Sequence, residues 1–73
     1  MNILVLDDET LIVRTRTRLE GLVEHPGSID IQVRDGIVQL HGPIARAEAR
    51  QAVRAIRALP GVRHVAASLT LHA

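Results

Sequence analysis

The chain has 73 residues, enough for one small domain, and it contains no cysteine, no lysine and no aromatic residue. These gaps exclude disulfide bonds, thiolate catalysis, lysine Schiff bases and lysine-containing phosphate loops. Nine arginines against eight acidic residues give a net charge of +1, so the chain is not a polycation, and its core must be aliphatic.

The N-terminal segment is apolar and runs directly into acidic residues at positions 7–9. It lacks the basic leader of a signal peptide, and it is far shorter than the roughly 20 residues of a membrane span. We predict that residues 1–7 are an N-terminal extension or an artificial end and that residues 8–73 are the domain. The segment also resembles the first strand and acidic pocket of response-regulator receivers. However, the chain is too short for that doubly wound sheet, and a helix start explains the acids better.

A first helix is predicted after the acidic run. An Asp can cap free backbone amides, and further acids suit the positive end of the helix dipole. The residues at helical spacing are Ile12, Thr15, Leu19, Leu22 and Val23. Residues 14–18 also alternate as in a strand, so this spacing leaves both structures open. The run His25-Pro26-Gly27 is predicted to end the helix.

A β-hairpin is the clearest local prediction. Ile29, Ile31 and Val33 alternate with polar residues, and the same alternation follows on the next strand. The Asp35-Gly36 pair between them suits a two-residue turn, because both turn positions need positive φ. Gly42-Pro43 is predicted to end the second strand.

A second helix and a last strand complete the chain. The helix is predicted from about Ile44 or Ala45 to Leu59, where Pro60-Gly61 ends it. Its apolar stripe consists of Ala45, Ala49, Ala52, Val53, Ile56 and Leu59. The last strand is predicted from about Arg63 to His72, with alternate apolar residues facing the helices.

The element order αββαβ predicts an α+β fold. We expect a single small domain with two helices packed on one face of a three-stranded mixed sheet. The predicted core is Ile12, Leu19, Ile31, Val33, Val38, Leu40, Ala52, Val53, Ile56, Val65, Leu69 and some neighbours. The predicted wet face of the sheet carries Asp30, Gln32, Gln39, Ser68 and Thr70.

Arginines on the second helix are the main candidate site. At about 100° per residue, four of them fall within an arc of roughly 80°. They are Arg46, Arg50, Arg54 and Arg57. One interpretation is a solvated helix face; the other is a patch for phosphate-bearing partners such as lipid head groups. Arg14 and Arg18 form a shorter pair on the first helix.

No catalytic or metal site is predicted. The four histidines are scattered, none at the helical spacing of paired ligands, and no cysteine joins them. Neither Ser28 nor Ser68 lies in a nucleophile elbow. We therefore expect a non-enzyme without a cofactor, metal or small-molecule substrate.

The pattern of glycines and aliphatic residues resembles the BON domain family. The pattern is Ile29-x-Ile31-x-Val33-x-x-Gly36-x-Val38-x-Leu40-x-Gly42-x-Ile44, an Arg/Ala-rich helix, Gly61-Val62-x-x-Val65 and Leu69-x-Leu71. The resemblance covers about Asp8 to Leu71. In this pattern Gly36 would allow the hairpin turn, Gly42 the exit from the second strand and Gly61 the helix stop.

The resemblance implies a non-catalytic module of the bacterial envelope. BON domains occur in osmotic-stress periplasmic proteins and envelope channels, and they are regarded as binding phospholipid membranes. The implied location is the envelope or periplasm if this sequence belongs to a longer exported chain. A cytoplasmic location stays open, because no signal peptide is seen.

Two functional hypotheses follow. The first is binding of an anionic phospholipid surface through the arginines of the second helix. The alternative is a protein-interaction or assembly module, bound to an envelope protein through a strand edge or the uncovered sheet face. Nucleic acid is disfavoured, because the chain has no GxxG loop and no aromatic residue on which bases could stack.

Overall fold

The computed structural model describes residues 7–73, which form the predicted αββαβ order with an added 3₁₀ turn at Pro26–Ser28. The main elements are α1 (Asp8–Glu20), β1 (Asp30–Arg34), β2 (Ile37–Ala45), α2 (Arg46–Arg57) and β3 (His64–His72). β2 is central, antiparallel to β1 and parallel to β3. α1 packs against β1 and α2 against β3. The predicted α+β fold is confirmed, and the predicted extension lies outside the described residues except for Asp7.

α1 begins at an aspartate cap. The Asp7 Oδ1 accepts a hydrogen bond from the Thr10 amide at 2.8 Å. The buried side chains of α1 follow at intervals of four residues, at Leu11, Thr15 and Leu19. The prediction of Ile12 as a core residue was wrong by one position. The helix turns Leu11 inward, and Ile12 is half-buried at the flank of the core.

The hairpin joins β1 to β2 as predicted. Asp35 has φ 52° and Gly36 has φ 79°, the positive values that a tight primed turn requires. The register pairs Val33 with Val38. Downstream, the Arg63 amide donates to the Gly36 carbonyl at 2.8 Å, which attaches the start of β3 to the turn.

β2 is longer than the sequence predicts. It continues through Gly42 and Pro43 to Ala45, so the predicted exit of the strand at Gly42 was wrong. β1 pairs with β2 only as far as His41, and beyond this point only β3 pairs with β2. A strand with one free side tolerates proline, which lacks the amide hydrogen. Ile44, predicted at the start of a helix, is a buried strand residue.

The aliphatic core lies between the helices and the sheet. Its largest contiguous cluster comprises Leu19, Val23, Ile29, Ile31, Val38, Leu40, Ile44, Ala52, Ile56 and Val65. Besides Ile12, three predicted core residues are only half-buried, because they lie at the rim of the core. Val33 lies near the hairpin turn, Val53 on the flank of α2 and Leu69 on the outer strand β3.

Candidate functional site

Four exposed arginines form a stripe on α2. We call this set the Arg stripe: Arg46, Arg50, Arg54 and Arg57. The helix turns Ala52 and Ile56 inward, so residues at the spacing of the Arg stripe must point away from the sheet. At about 1.5 Å per residue the stripe extends roughly 16 Å along the helix axis.

The charge of the Arg stripe is not neutralised within residues 7–73. The ion pair found there joins Glu24 and His25, which are both exposed. Glu48, the acid in the first turn of α2, is half-buried and points elsewhere. Its Oε1 accepts a hydrogen bond from the Glu24 amide at 3.4 Å, in the loop that follows α1, and α1 itself packs against α2. The flank of α2 that bears Glu48 therefore faces α1, and the Arg stripe lies on the other side.

Two other arginines have structural contacts. The Arg16 guanidinium donates to the Pro26 carbonyl and holds the loop after α1. The Arg63 guanidinium donates to the Asp35 carbonyl at 3.4 Å, and its methylene groups cover Gly36. Arg14 and Arg18 are exposed on α1, as predicted for a second pair. The Arg stripe thus differs from Arg16 and Arg63 in being directed entirely outward.

Small side chains separate the arginines of the stripe. A shallow depression on α2 is lined by Ala47, Arg50, Gln51, Arg54 and Ala55. The alanines leave both guanidinium groups accessible from the solvent side. An open surface of this shape suits contact with an extended partner, whereas small-molecule sites are usually enclosed and largely apolar.

The uncovered face of the sheet is polar, as predicted. It has a hollow of about 430 Å³ lined by Asp30, Gln32, Gln39, Leu40, His41, Ala66 and Ser68. His41, His64 and His72 share this face, but successive members are four register positions apart, roughly 13 Å at about 3.3 Å per residue. Accordingly, no group of three potential metal ligands occurs in the described part of the chain.

The sequence suggested a strand edge as a binding surface but did not indicate which strand provides it. In the structure, β3 has a long exposed edge. β3 is the outer strand beside β2, and its side chains beyond Val65 are poorly covered. Leu71 is 43% exposed although it lies on the side of the helices. The signal in the sequence was the absence of any charged residue from positions 64–72.

Among the described helices, none has the length and apolar character needed to cross a bilayer.

Comparison with known proteins identifies a family. No curated protein matches the sequence significantly. Among solved structures, the chain is similar to CdsD, described as a structural protein of the type III secretion system of Chlamydia trachomatis, with a TM-score of 0.82 and 17% identity. The match covers 94% of this chain but 34% of that chain, so this chain spans about a third of its relative. The BON domain family model matches residues 7–73, and the chain therefore belongs to the BON domain family.

Proposed function

We propose that this chain is a non-catalytic envelope module that attaches to anionic phospholipid surfaces through the Arg stripe. The observation that carries the proposal is the stripe itself: four exposed arginines on one side of α2, without an acidic partner within residues 7–73. Arginine suits this role, because its planar guanidinium binds phosphate through two parallel hydrogen bonds.

The expected affinity of one copy is weak. A basic residue near an anionic membrane contributes about 1 kcal/mol, so four contribute about 4 kcal/mol. This corresponds to a dissociation constant on the order of millimolar. The module would therefore act in tandem copies or tethered within a longer protein, where effective concentration strengthens weak contacts. We propose the envelope or periplasm as the location.

A second candidate function is assembly within a larger protein. The similar solved chain is described as a structural protein of a secretion system, and the free edge of β3 offers a surface for such contacts. Salt separates the two functions. Lipid binding through arginines weakens as ionic strength rises, whereas strand pairing hardly responds.

The test is co-sedimentation with vesicles. Phosphatidylglycerol-containing vesicles should bind the chain at about 50 mM salt and release it at about 300 mM salt. Phosphatidylcholine vesicles should not bind it. The variant Arg50→Glu/Arg54→Glu should lose at least about tenfold in partition, because two attractive contacts become repulsive. Folding should be nearly unchanged, since exposed sites alter stability by under about 0.5 kcal/mol.

A matched control separates the stripe from net charge. Arg14→Glu/Arg18→Glu makes the same charge change on α1, and it should reduce partition by less than about threefold, because it leaves the contact face intact. Equal losses in the two variants would contradict the proposal. So would indifference of the unaltered chain to anionic vesicles at low salt, and either result would favour the assembly function.

A further inference from the structure

The outer edge of β3 is long and unguarded. In the described chain β3 pairs on one side with β2, and its other side carries free backbone groups over nine residues, His64–His72. Proteins usually protect such edges with charged side chains, prolines, bulges or short strands. Positions 64–72 contain no Asp, Glu, Lys, Arg, Pro or Gly. This edge is therefore open to pairing with another strand.

Apolar side chains near the edge lack cover. The helix-facing row of β3 begins with the buried Val65 and continues with the exposed Ala67, the half-buried Leu69 and the exposed Leu71. The cover over this row is therefore incomplete and decreases toward the end of β3. A strand added alongside β3 would place its own alternate side chains against these residues.

Two arginines of α2 lie above the same edge. α2 packs against α1, and Glu48 accepts a hydrogen bond from Glu24 in the loop that follows α1. The opposite flank of α2 therefore lies toward the free side of β3. At about 100° per residue, Arg46 and Arg57 project from that flank, next to Val53. Ala45 pairs with His72, so Arg46 lies near the end of β3, and Arg57 lies toward its beginning. The edge thus has an apolar middle and a positive charge near each end.

We infer that the β3 edge accepts an extended segment of a partner protein as a fourth strand. The segment has apolar side chains in the middle of its helix-facing row and an acidic residue at each end. Main-chain pairing supplies the affinity, and Arg46 and Arg57 select the ends. A second copy fits less well. Its β3 carries no acid, and pairing would bring the two sets of arginines together.

A designed peptide tests the inference. The probe has the length of β3, alternates Thr and Val, and carries Glu at both ends of the Val row with a terminal Trp for detection. The chain has no aromatic residue, so the Trp fluorescence reports the peptide alone. The Glu-ended peptide should bind at least about tenfold more tightly than a Lys-ended peptide. It should also exceed a Glu-ended peptide with a central Pro by about tenfold, because proline removes a ladder donor.

Exchanging the charges gives the decisive comparison. Arg46→Glu/Arg57→Glu should reverse the preference, so that the Lys-ended peptide binds more tightly. The matched control Arg14→Glu/Arg18→Glu should keep the original preference. Equal binding of the proline peptide would overturn strand addition, and an unchanged preference in the first variant would overturn the assigned arginines. A dimer of the chain in sedimentation equilibrium, displaced by the peptide, would assign the edge to a second copy instead.

Discussion

The hydroxyl of Thr15 is fully buried, and its Oγ1 has no hydrogen-bond partner within residues 7–73. A buried polar group without a partner destabilises the folded state by its lost hydration. Thr15→Val keeps the shape and removes the polar atom, so it should raise the free energy of unfolding by about 1 kcal/mol. Urea unfolding followed by far-UV circular dichroism measures the change.

Thr17 provides the control, because it is exposed on the same helix. Thr17→Val should change stability by less than about 0.5 kcal/mol. A Thr15→Val variant that is less stable than the parent chain would indicate that the hydroxyl has an acceptor in solution.

Position 42 requires glycine, because the backbone at Ser28 lies very close to it. Gly42 has φ 136°, and a Cβ added there would lie 2.5 Å from the Ser28 carbonyl oxygen. Gly42→Ala should therefore destabilise the domain by at least about 2 kcal/mol, since backbone strain and a backbone clash add. Thermal melting measures the loss. At Gly27 an added Cβ meets nothing within 4 Å, so Gly27→Ala should melt near the parent chain, and equal losses at both sites would contradict this account.

The sequence predicts the burial and contacts of some residues but not of others. The exposure of Arg50 and Arg54 follows from helical spacing. The apolar residues of α2 occupy the side that faces the core, so these two arginines must lie on the solvent side. The contact of Gly42 with Ser28 joins segments that no local pattern relates. Likewise, Leu11 and Ile12 are equally apolar neighbours, and only the packing of α1 decides which one is buried.

At the scale of the elements, the cap of α1 makes stability depend on pH. Hydrogen bonds from the Thr10 amide and hydroxyl to the Asp7 carboxylate lower the pKa of Asp7 below its ordinary value of 3.8. A lowered pKa in the folded state means that the cap stabilises α1 above the ordinary pKa. The part of this stabilisation that depends on the charge is lost as the pH falls through the folded value.

Asp7→Ala should therefore lower the melting temperature more at pH 7 than in acid, where the protonated carboxyl still offers a capping oxygen but no charge. Asp7→Asn keeps a capping oxygen without the charge, so its melting temperature should fall less at pH 7. Melting curves at several pH values make the comparison. An Asp7→Ala deficit that is as large in acid as at neutral pH would contradict the assigned role of the carboxylate.

The elements were predictable where side-chain periodicity decides them. The hairpin follows from alternation around Asp35-Gly36, and α2 follows from its apolar stripe. The end of β2 was not predictable from the Gly42-Pro43 pair. There the tertiary pairing of Ile44 with Leu71 overrides the local turn signal. The exposure of the end of β3 also depends on the position of α2 over the sheet, and local sequence patterns do not predict that position.

At the scale of the whole molecule, the fold separates three surfaces. The helices cover one face of the sheet and present the Arg stripe outward, the opposite face is polar, and β3 leaves an edge between them. The Arg stripe and the β3 edge share Arg46 and Arg57, whereas the polar face of the sheet lies on the opposite side. The architecture followed from the element order, whereas the position of the stripe relative to the edge required the packing of α2 against α1.

The most direct test of the central claim is an NMR titration of the ¹⁵N-labelled chain with lipid nanodiscs. With phosphatidylglycerol nanodiscs, the amide signals of α2 should show the largest chemical-shift changes, and those of Gln39 and Ser68 on the uncovered sheet face should shift least. Phosphatidylcholine nanodiscs should leave both sets unchanged. Shift changes that are centred on the sheet face, or no changes with phosphatidylglycerol, would contradict attachment through the Arg stripe.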